Sequence, residues 1–160
     1  MVNLGATRWI CETCGEEIAK LEEGFLEWVT IPGPPRKATG FHIVHHYLAS
    51  PRQGEDRVGC YYDPHYVQEE LGGTISNMAL DHIVSVDGFI RMLSFTGDYE
   101  VAVPELMEIL QKLFVPNYQL VKSHMQEAIY EGTIQPNLPP GFYWQEEIDR
   151  VLKEIEKGML

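Results

Sequence analysis

The sequence predicts an α+β protein, with a small antiparallel sheet over residues 1–62 packed on a helical part over residues 63–160 that holds about four helices. Three observations lead there. Short apolar runs separated by glycine and proline fill the region from residue 7 to residue 48. Apolar residues recur at helical spacing through most of the chain after Asp63. All three cysteines fall in the first part, at positions 11, 14 and 60.

In chain order, "TRWI" and "EEIA" read as two short strands, and "GFLEWVTI" and "GFHIVHHYL" as two longer ones. Within "GFLEWVTI", the apolar residues Phe25, Leu26, Trp28, Val29 and Ile31 alternate only in part, so one face is expected buried and the other half-covered. The "PGPPRKATG" stretch is expected as an exposed hairpin loop between them. Asp63 before Pro64 is a helix start, and Gly72–Gly73 is its stop.

Beyond it, Ile75, Ala79, Ile83, Val86, Ile90 and Leu93 repeat at helical spacing, with Asp87–Gly88 as the point where the segment divides. Leu106, Ile109, Leu110 and Leu113 form a second core-facing stripe, and Tyr118, Val121, Met125, Ala128 and Ile129 a third. The last runs from Trp144 through Ile148, Val151, Leu152 and Ile155 to Met159, after Pro139–Pro140 has interrupted the helical pattern.

Composition narrows the function classes. With 44% hydrophobic residues, the 160-residue chain can bury a core, which separates it from disordered sequences. Its 24 acidic residues against 12 basic ones give a net charge of −12, spread over both halves, and such a surface repels phosphate backbones. Nucleic acid is therefore a disfavoured partner. No basic, apolar and small-residue leader pattern opens the sequence, and no apolar run reaches bilayer-spanning length. A cytoplasmic location and no membrane association are expected.

In a reducing compartment, an odd number of cysteines points to metal binding rather than to a disulfide framework. Cys11 and Cys14 stand two residues apart, with Trp9 and Ile10 before them and Gly15 after. That pattern resembles the zinc knuckles of zinc ribbons and treble clefs over residues 8–18. Those families bring a second paired knuckle or a helix-borne ligand pair, whereas this chain offers separated ligands.

Tetrahedral zinc takes four soft or borderline donors, and Cys60 with one histidine of "IVHH" completes such a set. On a strand, His45 shares a face with Phe41, Ile43 and Tyr47, and His46 shares one with His42, Val44 and Leu48. The more apolar face favours His45 over His46 as the nitrogen donor. The expected site is one structural zinc ion held by Cys11, Cys14, Cys60 and His45 or His46. The alternative leaves the thiols free and the histidines as surface residues.

The Cys-x-x-Cys pair does not open a helix after a strand, so it lacks the setting of a thioredoxin-like redox site. Other polar candidates have structural explanations: Asp63 as a helix cap with His65 beside it, His82 next to Asp81 as a boundary histidine, and His124 on the third helical stripe. The "VHH" stretch, Asn77 and "LDHI" resemble pieces of the HNH nucleases. Those enzymes, however, place a second cysteine pair and a final histidine after the asparagine, and no cysteine follows Cys60 here.

A helix-turn-helix would pair "PELMEILQKLF" with "NYQLVKSHMQEAI", using Gln119, Lys122, Ser123 and Gln126 as base readers, but Glu127 and Glu131 would then face phosphates. The reading carried forward is a non-enzymatic, zinc-stabilised interaction or regulatory module that binds another protein. A metal-dependent hydrolase or nuclease is the rival class, and a nucleic-acid binder the second.

Overall fold

The computed structural model describes residues 8–54, 58–136 and 142–160, so Pro139–Pro140 lie outside the described residues. The protein is α+β, with N-terminal strands and C-terminal helices, and one strand that follows the first helix. A two-stranded ribbon pairs β1 (Trp9–Ile10) with β2 (Glu17–Ile18). A three-stranded antiparallel sheet follows, with β3 (Gly24–Ile31) between β4 (Lys37–His45) and β5 (Thr74–Ala79).

The helices are α1 (Pro64–Leu71), α2 (Leu80–Ile83), α3 (Val86–Asp98), α4 (Val103–Phe114), α5 (Tyr118–Val121), α6 (Met125–Tyr130) and α7 (Gln145–Glu156). None of the described helices is long and apolar enough to cross a membrane.

Backbone contacts divide the chain into two compact units. One is Trp9–Phe114 and the other contains Val115–Leu160, so the division falls after α4, whereas the sequence reading put it at 62/63. Aromatic packing explains why α3 stays with the sheet. The Phe95 ring meets Trp28 edge-on at 5.1 Å and Phe41 at 5.6 Å, so strand and helix share one core. Glu105 at the start of α4 accepts hydrogen bonds from Thr39 Oγ1, Gly40 N–H and Phe41 N–H, where a bulge shifts the β3–β4 register. Within the second unit, Tyr118, Val121, Met125, Ala128, Ile134, Ile148 and Val151 form a separate buried cluster.

Several expectations hold locally. Asp63 accepts a hydrogen bond from His65 N–H at 2.9 Å, Pro64 opens α1, and left-handed Gly72 closes it. "GFLEWVTI" is β3 residue for residue. Its second face, expected half-covered, is closed around Glu27 and Val29, each 1% exposed. "PGPPRKATG" is partly strand, since β4 begins at Lys37.

The largest correction concerns residues 75–93. Thr74–Ala79 is a strand, paired with β3 from Thr30↔Thr74 to Phe25↔Ala79, and not the first turn of a helix. Its apolar positions 75 and 79 fit a period of two as well as of four, and β-branched Thr74 and Ile75 with an adjacent unpaired strand decide the matter. The helical break falls at Val84–Ser85, not at Asp87–Gly88: Ser85 Oγ accepts from Gly88 N–H at 2.9 Å and caps α3.

Restarting the helix there changes its phase. Met92 and Phe95 face the core, while Val86, Ile90 and Leu93 lie exposed. Trp144 and Met159 likewise flank α7 and are exposed rather than core-facing.

Gly88 packs against the preceding turn, where an added Cβ would sit 1.9 Å from the Ile83 carbonyl oxygen, whereas one on Gly97 of the same helix would meet nothing within 4 Å. Gly88→Ala is expected to lower stability by about 1–3 kcal/mol or more through this backbone overlap. Gly97→Ala should raise it by about 0.5–1 kcal/mol. Urea unfolding followed by circular dichroism tests both, and equal effects of the two changes would contradict the packing described.

Candidate metal centre

The knuckle forms because the chain must reverse between β1 and β2 within six residues. Cys11 N–H donates to the Glu16 carbonyl at 2.9 Å, and Gly15 N–H donates to the Cys11 carbonyl at 2.8 Å. Gly15 has φ +79°, a left-handed conformation that a side chain would strain. This turn brings the Cys11 and Cys14 sulfurs to one side.

The third and fourth donors arrive from distant sequence. His45 ends β4 and is 5% exposed, while Cys60 lies in the loop before α1 and is fully buried. The donor atoms of Cys11, Cys14, His45 and Cys60 all lie within 4.8 Å of one another. Cys14 Sγ and His45 Nδ1 are 3.4 Å apart. A zinc ion with its usual bond lengths sets ligand atoms roughly 3.5–3.8 Å apart, so closure around an ion takes contractions of about 1 Å at most.

Among the described residues, this is the one group of three or more histidine, cysteine or acidic side chains arranged to hold a metal ion. The donor set, three sulfurs and one imidazole, suits zinc and excludes hard cations such as calcium or magnesium.

His45 is fixed by its second nitrogen. Nε2 lies 3.2 Å from the Glu17 carbonyl oxygen, which can only accept, so Nε2 carries the proton and Nδ1 turns its lone pair toward the sulfurs. His46, the other candidate, is directed elsewhere. Its Nδ1 accepts from Leu48 N–H at 3.2 Å, starting the 3₁₀ turn Tyr47–Ala49, and its ring meets Phe25 edge-on at 5.1 Å. The structure therefore brings together Cys11, Cys14, His45 and Cys60 but not His46.

Electrostatics within the cluster are unequal. Burial raises the Cys11 thiol, but the backbone amides of Cys14, His45 and Thr13 outweigh it and bring the group down to about 7. Burial pushes Cys14 up to about 12, against the Glu16 amide and with the negative Cys11 adding to the rise. Cys60 is also raised by burial, partly offset by the Ser50 hydroxyl, whose oxygen is 3.1 Å from its sulfur. Burial thus opposes ionisation at all three sulfurs, and backbone amides overcome it only at Cys11. A divalent cation among the sulfurs would favour ionisation of all three.

Around the cluster lies a support that the sequence reading missed. Glu27 is 1% exposed, and its Oε2 lies 2.7 Å from His42 Nε2 and accepts from Tyr62 N–H at 2.9 Å. The His42 ring stacks on Tyr62 at 3.9 Å, and Tyr62 OH donates to the Gly40 carbonyl at 2.9 Å. Two residues before Tyr62 stands Cys60, so this network anchors the loop that delivers the third sulfur.

On the knuckle side, Glu12 accepts from Ile43 N–H at 2.8 Å and forms an ion pair with the nearly buried Lys112 of α4. Thr13 Oγ1 donates to the Cys60 carbonyl at 2.7 Å. The sequence signal for Glu27 was its charge inside an otherwise apolar strand.

Asn77 and His82, invoked for a nuclease, are exposed on β5 and α2 and join no metal-holding group among the described residues. The two helices invoked for a helix-turn-helix fall in different compact units, and the second is interrupted by a 3₁₀ turn over Lys122–His124. Compared with known families, curated proteins and solved structures, the chain matches no family model, no curated protein and no solved structure.

Glu27→Ala would leave His42 and the Tyr62 amide without their acceptor. A loss of about 1–3 kcal/mol of unfolding free energy is expected, as for leaving buried hydrogen-bonding groups unsatisfied. Denaturant titration reads this directly, and a change under about 1 kcal/mol would show that the network does not anchor the loop.

Proposed function

We propose that the chain is a cytosolic interaction or regulatory module that binds another protein and is stabilised by one structural zinc ion at Cys11, Cys14, His45 and Cys60. The observation that carries this reading is the convergence of four donors from three separated stretches of sequence, within 4.8 Å and largely buried.

A shell of three cysteines and one histidine is complete at four, which leaves no coordination position for a reacting water. Such an ion stabilises the fold without performing chemistry. Short strands need that help: β1 and β2 have two residues each, and a two-stranded hairpin alone is marginal in water. All three cysteines are free thiols, in keeping with a reducing compartment. The charge of −12 favours a protein partner over a phosphate backbone.

Purified protein is expected to carry about one zinc per chain. Cys11→Ser, Cys14→Ser, Cys60→Ser and His45→Ala should each lose it, while His46→Ala should keep it. Elemental analysis of the variants reads the outcome, and full zinc retention in Cys60→Ser would reject the proposed shell.

Metal binding to such ligands is coupled to folding. A strong chelator should therefore remove amide protection from residues 9–62, including Trp28 and Ile43, and spare Ile148 and Val151 in the second unit. Hydrogen exchange with and without chelator measures this, and unchanged protection at Trp28 and Ile43 would show that the ion is not a staple.

A further inference from the structure

The two edges of the three-stranded sheet are treated differently. On the β4 side, Ala38 N–H donates to the Glu100 carbonyl at 3.1 Å, and Gly40 and Phe41 N–H donate to Glu105. Ile43 N–H donates to Glu12, and the Ile43 carbonyl accepts from Glu12 N–H at 2.8 Å. That edge is closed by its own chain. The β5 side is not: among the described residues, no backbone hydrogen bond outside the sheet begins or ends on Thr74–Met78.

Nor does β5 carry the features that usually block an exposed edge. "TISNMA" contains no charge and no proline, and its pairing with β3 runs over six residues without a bulge.

Beside the edge runs a groove of about 380 Å³ between α1 and β5, lined by Pro64, Gln68, Gly73, Thr74, Ile75 and Asn77. An added strand takes its affinity from main-chain hydrogen bonds and its selectivity from a pocket for alternate side chains. This edge and groove supply both. Charge indicates the kind of strand: α1 carries exposed Glu69 and Glu70 after Asp63, and neither α1 nor β5 holds a lysine or arginine.

We infer that β5 is a docking edge for an extended peptide segment of a partner protein, with an aliphatic residue for the α1–β5 groove and lysine or arginine on its flanks. The inference rests on reading the chain as a protein-binding module and names the chemistry of the partner. A second copy of this chain is the less fitting occupant, because each copy carries a charge of −12.

The test uses the full zinc-loaded chain, isotopically labelled, titrated with the synthetic peptide acetyl-KKTVTVTKK-amide and followed by amide NMR. Expected are shifts confined to Pro64–Ala79 and the adjoining β3 strand. Affinity should fall at least tenfold when the lysines become glutamates, and binding should vanish when alternate amides are N-methylated. Asn77→Lys, a change at an exposed position, should weaken binding at least tenfold while leaving the spectrum elsewhere unchanged. Equal binding of the glutamate peptide, or shifts centred elsewhere, would overturn the assignment. So would concentration-dependent broadening of Thr74–Ala79 without peptide, which would make a second copy the occupant. Zinc content is measured on the same sample. A zinc-loaded chain whose β5 amides never move refutes the docking edge alone, and peptide binding by a zinc-free chain refutes the staple alone.

Discussion

A carboxylate buried in the middle of a central strand is a severe constraint, and in this protein much of the first unit is arranged to meet it. Glu27 lies between β4 and β5, opposite His42 on one side and Asn77 on the other. Removing its charge from water is costly unless donors surround it. His42 and the Tyr62 amide supply them, and the Tyr62 ring closes over His42. Satisfying Glu27 therefore fixes the path of the chain from Cys60 into α1. A loop that would otherwise have many conformations is held where its cysteine meets the knuckle.

The candidate metal centre follows from that placement. Its donors come from a turn, a strand end and a loop, each held by hydrogen bonds that do not involve the ion: the knuckle amides, the Glu17 carbonyl behind His45, and Ser50 beside Cys60. The opposite shifts of Cys11, which backbone amides bring down to about 7 against its burial, and Cys14, which burial pushes up to about 12, follow from where each sulfur sits in the turn. Donors this far apart in sequence come together only in the folded chain, so an ion bound among them would be coupled to folding.

The two edges of the three-stranded sheet differ in what occupies them. The β4 edge is taken up by the Glu100 main-chain carbonyl and by the carboxylates of Glu12 and Glu105, which tie the knuckle and α4 to the sheet, and Lys112 completes the tie through Glu12. Acidic side chains thus do structural work there by accepting backbone amides. Around β5 the acids stay at the surface, and among the described residues no backbone hydrogen bond from outside the sheet reaches Thr74–Met78.

The sequence by itself determined what depends on neighbours in the chain. The knuckle at Cys11 and Cys14, the Asp63–Pro64 helix start, the limits of "GFLEWVTI" and the buried stripes at Leu106–Leu113 and Tyr118–Ala128 are set by local turn chemistry and by periodicity. The choice of Cys60 as third sulfur was also legible, because no other cysteine exists. Tertiary structure decided the rest. Residues 74–79 became a strand because β3 offered them an open partner, a fact that periods of two and four at Ile75 and Ala79 cannot carry. Sequence favours His45 over His46 only through the more apolar strand face, and the Glu17 carbonyl and the turn at Leu48 separate them. The burial of Glu27 and the division after Phe114 depend on contacts between residues far apart in the chain, whose partners only the folded arrangement brings together.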